Sequence, residues 1–293
     1  MSFEDLPPQD LSSFSPPARA YFVEALARSR PVYENAPNRS DIAYGDDYWQ
    51  KLDIFLPQGT AHGSLPVLMF MHGGGWTHGY KEQCGFMAPA ITALPAIFIS
   101  VSYRLAPQVR FPTPLEDIVS AIAWVRGNIA EYGGDPDRLF IGGHSAGGHL
   151  ATMATLQTER LATAGLPVDV IKGCLPVSAS FEFAVGMLER EGKLLLAKPE
   201  DAPIASPINS IGESRTPFHI IRGDRDLERC MISTDKALAV FDSKGWPLTS
   251  AILPDTDHFE AHLNVIKPET GWVERFASMA GVRAQHKNPR NSL

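Results

Sequence analysis

The chain has 293 residues, of which 44% are hydrophobic, and a formal net charge of −7. That length suits one large α/β domain or two small ones, and the acidic balance argues against nucleic acid or an anionic membrane surface as partner. The three cysteines (Cys84, Cys174, Cys230) form no C-x-x-C pair, no apolar run is long enough to span a membrane, and the N-terminus MSFEDLPPQD lacks a signal-peptide core; reduced thiols and a cytoplasmic location are therefore expected.

Residues 1–40 read as an arm. Pro16-Pro17 can open a helix, and Ala18 to Arg30 places Tyr21, Phe22, Ala25 and Leu26 at helical spacing. Such a helix could pack on the core or lie over a pocket. Asp41–Tyr44 and Lys51–Leu56 then read as an antiparallel pair turning at Gly45-Asp46-Asp47. Leu65–Met71 is a continuous apolar run, as in a strand buried on both faces, and it ends in His72-Gly73-Gly74-Gly75-Trp76. Ala96–Val101 is a second such run, ending at Tyr103-Arg104-Leu105-Ala106-Pro107. Leu115, Ile118, Ile122, Val125 and Ile129 mark one amphipathic helix. Leu139–Ile141, Gly143-His144-Ser145-Ala146-Gly147 and His149–Leu156 read as strand, tight turn and helix. Val170–Val177 is a further strand, and residues 181–210 look like a small insertion with a short helix around Val185–Leu196. Phe218–Ile221 is a strand leading to Gly223-Asp224-Arg225-Asp226, with a helix over Cys230–Phe241. Leu248–Leu253 is the last strand, followed by a polar loop carrying His258, a helix near Thr270–Met279 and a polar tail over 285–293. The expected architecture is one α/β domain over residues 41–284, with a mostly parallel sheet, helices on both faces and a small cap. In such a sheet a ligand sits at the carboxyl ends of the strands, where all of these motifs fall.

G-x-S-x-G between a buried strand and a helix is the setting of a nucleophile elbow, with Ser145 at its apex. A serine hydroxyl needs a base to take its proton, and the base needs a carboxylate to orient it. His258 follows the last strand; Asp224 and Asp226 end the strand before it, and the residues alone leave the choice between them open. The glycine run can bring backbone N–H groups close to a developing oxyanion, so Gly74, Gly75 and Ala146 are the expected donors. His144 and His149 flank the serine and are weaker candidates for the base, while His72 reads as a brace for its own loop. His258 and His262 stand four apart, but Phe259 occupies the place where a zinc-protease pattern needs Glu. No metal and no cofactor is expected. Trp76 and Phe259 are candidates to flank an aromatic leaving group.

With these residues assembled, the chain resembles the α/β-hydrolase fold, in the branch of hormone-sensitive-lipase-like esterases and kynurenine formamidases. His72–Trp76 is similar to that branch's H-G-G-G-W signature, and YRLAP at Tyr103–Pro107 is shared with the esterases. The elbow G-H-S-A-G-G-H-L, the segment Glu200-Asp201-Ala202 with Ser206-Pro207, and DTDHFE at Asp255–Glu260 resemble the formamidases. Gly148 departs from them and matches the esterases. The resemblance implies Ser145, His258 and Asp226 as the triad, Asp226 being preferred by its G-x-x-D spacing. It implies a Ser-His-Asp hydrolase acting on a small N-formyl arylamine amide. A short-chain carboxylesterase is the alternative, and a non-catalytic small-molecule receptor is a remote one. The expected partner is a small amide or ester, with a homodimer left open.

Overall fold

Eight strands among the described residues form one sheet in the order β1-β2-β4-β3-β5-β6-β7-β8. They are β1 Asn38–Ala43, β2 Lys51–Phe55, β3 Leu65–Met71, β4 Ile97–Val101, β5 Gly134–His144, β6 Ile171–Val177, β7 Phe218–Arg225 and β8 Leu248–Asp257. The structure is a computed structural model and describes residues 3–59, 64–183, 192–212 and 214–283. β1 and β2 pair antiparallel, as does β2 with β4, and every later pairing is parallel. The helices are α1 Pro16–Asn35, α2 Ala88–Thr92, α3 Thr113–Asn128, α4 Ala146–Leu156, α5 Thr158–Thr163, α6 Glu228–Ser243, α7 His258–Leu263 and α8 Trp272–Ala280. Further helical pieces, including a 3₁₀ stretch at Lys81–Met87, lie between them.

The apolar runs are continuous because both faces of the sheet are covered. Successive side chains alternate between faces. Val67, Met69 and Met71 of β3 pack with Leu115, Ile118 and Ile122 of α3 and Leu150 of α4. Leu68 and Phe70 point the other way, into a cluster with Phe98, Phe140, Trp272 and Phe276. Burying each large side chain contributes about 1.5–3 kcal/mol, so the central strands are fixed by packing on two sides.

α1 runs past Arg30, the end predicted for it, and its far end is tied to the sheet. The Tyr33 hydroxyl donates to Asp53 Oδ2 at 2.5 Å. Asp53 also meets Lys81 Nζ at 2.9 Å. That lysine explains why Lys81–Met87 does not read as structure: Lys-Glu-Gln resembles a solvated run, yet all three side chains are buried. Lys81 reaches Asp41 at 3.0 Å and also bonds Glu82. The helix expected around 185–196 falls mostly in residues 184–191, outside the described ones; of it, Lys193–Leu195 is helical.

β7 and β8 run four residues beyond their expected ends. Their register shifts between Gly223 and Arg225, after which Arg225 pairs with Asp257. His258 therefore begins a helix and does not lie in a loop. Asp257 caps that helix, accepting N–H bonds from Phe259 and Glu260 at 2.8 Å each, while Glu260 accepts from the Asp257 N–H at 2.9 Å. D-x-x-E is a capping box, so the start of α7 was present in the sequence.

Candidate active site

Ser145 sits between β5 and α4 with φ 52° and ψ −116°. A non-glycine residue in this region holds strain of about 1–3 kcal/mol, which the surrounding contacts must sustain. The turn is tight enough that a Cβ on Gly143 would come within 2.4 Å of the Gly147 carbonyl carbon. Among residues 141–150 only Ser145 is partly exposed. Its hydroxyl thus stands clear of the sheet edge while its neighbours are packed.

The ends of β7 and β8, adjacent strands, bring the other two groups to it. His258 Nε2 lies 2.9 Å from Ser145 Oγ, and His258 Nδ1 lies 2.6 Å from Asp226 Oδ1. The same Asp226 oxygen accepts the Leu227 N–H at 2.7 Å. Asp224, the other candidate, is exposed and accepts the Thr256 N–H at 3.1 Å. Burial by itself would lower the His258 pKa, but the hydrogen bond to Asp226 and the neighbouring Cys230 raise it, to about 9. Burial would raise the Asp226 pKa, but the hydrogen bond and charge of His258 hold it below the ordinary carboxylate value. Sequence reasoning missed Cys230: its Sγ, an Asp226 oxygen and a His258 ring nitrogen lie within 4.8 Å of one another.

Gly74 and Gly75 face the same cavity as Ser145. Gly74 has φ 122°, and a Cβ there would meet the His78 carbonyl oxygen at 2.0 Å, so only glycine fits this turn. Ala146 is the first residue of α4, where an N–H has no intrahelical acceptor. The glycine loop is braced from behind. His72 Nδ1 donates to the Gly73 carbonyl at 2.7 Å, and its ring stacks on Tyr103 at 4.5 Å. The Tyr103 hydroxyl donates to the His72 carbonyl at 3.0 Å, and the Ala106 N–H to the Trp76 carbonyl at 2.9 Å. The two signatures HGGGW and YRLAP are therefore one physical unit.

The cavity holds about 170 Å³ and is lined, among the described residues, by Phe14, Ala18, Phe22, Trp76, Leu194 and Phe259 beside the polar groups. The two alternatives for α1 are not exclusive in the structure: it packs through Tyr21, Phe22 and Ala25, and Ala18 and Phe22 also line the cavity. Trp76 is only 3% exposed. Its Nε1–H donates to His149 Nδ1 at 3.2 Å, and its ring lies 5.2 Å from Phe183, so most of the ring serves packing. Phe259 is more open, with its ring 5.3 Å from that of Tyr21 and 5.3 Å from that of His258. His149 Nε2 donates to the Ala205 carbonyl at 2.7 Å, fastening the insertion to the elbow helix. His144 approaches His258, with Nε2 2.9 Å from the His258 carbonyl oxygen. His262 does not join His258 as a ligand pair; its Nδ1 is 2.8 Å from the Tyr21 hydroxyl. Nothing in the arm's sequence flags Tyr21, because an aromatic on an apolar helix face looks like core.

Residues 52–170 match the BD-FAE family model. Esterase LipC of Mycobacterium tuberculosis strain H37Rv is 33% identical over 220 residues, 68% of this chain and 53% of that protein. The chain spans between half and three-fifths of the curated relatives of this kind. Among solved structures, a truncated carbohydrate esterase from gut microbiota superposes with a TM-score of 0.74 at 20% identity, over 84% of this chain and 97% of that one. The carboxylesterase EstE1, cloned from a metagenomic library, gives 0.72 at 20% identity, over 92% and 99%. With its mostly parallel sheet flanked by helices and these structural neighbours, the chain belongs among the proteins built on the α/β-hydrolase fold.

Proposed function

We propose that the chain is a serine carboxylesterase acting on small esters. One observation carries this reading: the unbroken line Asp226–His258–Ser145, which opens into a cavity beside Gly74 and Gly75. His258 Nε2 takes the Ser145 proton as Oγ attacks the ester carbonyl. Asp226 keeps Nδ1 protonated and offsets the charge on the imidazolium that forms. The N–H groups of Gly74, Gly75 and Ala146 receive the oxyanion. The tetrahedral adduct collapses, the alcohol leaves with the proton from His258, and an acyl group remains on Ser145. Water, deprotonated by His258, then repeats the attack and frees the acid.

The names of the relatives are those of esterases, and they support the carboxylesterase reading over the formamidase one that the elbow residues suggested. An amide is also the more demanding bond, because its amine must be protonated as it leaves. The test is kcat/KM for p-nitrophenyl acetate and butyrate against N-formyl-L-kynurenine on one preparation. Esters are expected to be turned over with the higher kcat/KM. Turnover of the formamide alone would replace this reading with the formamidase one. Failure on both, with no fluorophosphonate labelling of Ser145, would favour a binding protein.

A further inference from the structure

Three buried side chains outside the Asp226–His258–Ser145 line are strung together and end, through His144, on the backbone of the base. His144 Nε2 lies 2.9 Å from the His258 carbonyl oxygen, and His144 Nδ1 lies 3.2 Å from the Tyr21 hydroxyl. The same hydroxyl lies 2.8 Å from His262 Nδ1. All three side chains are buried. The His262 ring is stacked between His144, at 4.9 Å, and Phe70, at 5.5 Å, so it has little freedom to turn.

The direction of each bond follows from the groups. A carbonyl only accepts, so His144 Nε2 carries a proton. Burial holds both rings neutral: it pushes the His262 pKa down to about 3 and the His144 pKa well below the ordinary value. A neutral His144 then offers Nδ1 as an acceptor, and among the described residues it is the Tyr21 hydroxyl that stands within reach to donate to it. With its proton so used, the Tyr21 oxygen accepts from His262 Nδ1–H. The chain closes at His262 Nε2, a buried lone pair with no hydrogen-bond partner among the described residues.

We propose that His262, Tyr21 and His144 form a one-way hydrogen-bond chain that fixes the His258 backbone, making them positioning residues and helix α1 a working part of the active site. Without the His144 donor the His258 carbonyl keeps only its bond within α7, and the direct hydrogen bond from the end of β5 to the start of α7 is lost. The ring of His258 then swings away from Ser145 Oγ, and small displacements of a reacting group are costly in rate. The chain acts through the base, so breaking one of its hydrogen bonds while the arm stays in place lowers kcat more than it raises KM.

The proposal rests on Ser145 and His258 being the nucleophile and base, so its test includes a readout independent of the natural substrate. Tyr21→Phe, His144→Leu and His144→Gln are compared with the wild type, well below the melting temperature of each. The readouts are kcat and KM for p-nitrophenyl butyrate, the rate of Ser145 labelling by a fluorophosphonate, and thermal melting. Tyr21→Phe is expected to lower kcat and the labelling rate by about 3- to 10-fold, the scale of one lost hydrogen bond, with KM within about twofold. His144→Leu is expected to lose more, on the order of 10- to 100-fold, because it removes both the bond to the His258 carbonyl and the acceptor of the buried Tyr21 hydroxyl. His144→Gln keeps an N–H donor and is expected to recover most of that loss. Wild-type rates in Tyr21→Phe, or a His144→Gln as slow as His144→Leu, overturn the proposal. A wild-type protein that neither labels at Ser145 nor hydrolyses esters overturns the proposed function instead.

Discussion

Replacing Asp226 by Asn separates the proposed acid from its neighbour two residues away. The wild-type carboxylate accepts from His258 Nδ1 at 2.6 Å and from the Leu227 N–H at 2.7 Å through the same oxygen. If the Asn amide oxygen takes that place, both bonds survive but the charge opposite the imidazolium is lost. Asp226 and the neighbouring Cys230 together hold the His258 pKa at about 9, against about 6.5 for an ordinary histidine; at about 1.36 kcal/mol per pH unit this is roughly 3 kcal/mol of net support for the protonated ring. Losing the Asp226 share should lower kcat/KM by up to about 10²-fold. If the amide nitrogen takes the place instead, it faces two N–H donors, the ring adopts the wrong tautomer, and the loss approaches about 10⁴-fold. The assay is kcat/KM for p-nitrophenyl butyrate across pH. Asp226→Asn should be slow throughout, with its acid limb shifted to lower pH. Asp224→Asn, at an exposed site whose carboxylate accepts the Thr256 N–H, should stay within about twofold of wild type. Equal losses at the two positions, or a larger one at Asp224, would refute the assignment of the acid.

Ser145→Ala should fold, because the hydroxyl contributes one hydrogen bond, and should lose activity on the order of 10⁴-fold or more; a folded variant with near-normal turnover would remove Ser145 from the mechanism. In the wild type, His258 serves as base only when neutral, and its pKa is raised, so the acid limb of kcat/KM should lie above the ordinary histidine value; a limb at or below about 6.5 would contradict this. Stability should fall on acidification for a separate reason. His72, His144, His149 and His262 are buried with lowered pKa values, so below about 6.5 the unfolded chain binds protons that the folded one does not. Each costs about 1.4 kcal/mol per pH unit below that point. His258 has the opposite sign: its contribution is full below about 6.5 and is lost as pH rises toward the folded value. Because the His258 contribution is constant below about 6.5, nothing from it offsets the buried neutral rings there, and the melting temperature should drop by several degrees or more between pH 6.5 and 5; a flat profile by calorimetry would count against the buried neutral rings.

The strand and helix pattern was legible because packing on both faces of a sheet demands it. Leu65–Met71 and Ala96–Val101 carry no polar residue but Ser100, and only strands covered on both faces are written that way. Ser145 was legible because a turn as tight as that between Gly143 and Gly147 tolerates few residues. The start of α7 was written in Asp257 and Glu260 as a capping box. Other features carried no local signal. Lys81-Glu82-Gln83 reads as surface until the fold supplies Asp53 and Asp41 as partners. The residues alone left Asp224 and Asp226 open, and only the family resemblance preferred Asp226; in the fold it is Asp226 that meets His258, where the register of β7 against β8 shifts. Trp76 reads equally well as pocket or core, and it is His149 and Phe183, distant in sequence, that settle most of the ring into packing. Tyr21 is the furthest case. It meets His144 and His262 from 123 and 241 residues away. Sequence by itself determined which residues could do chemistry and which strand ends would present them, since both follow from local pattern. Tertiary structure alone decided which of those groups touch, because hydrogen-bond partners are set by distances across the fold.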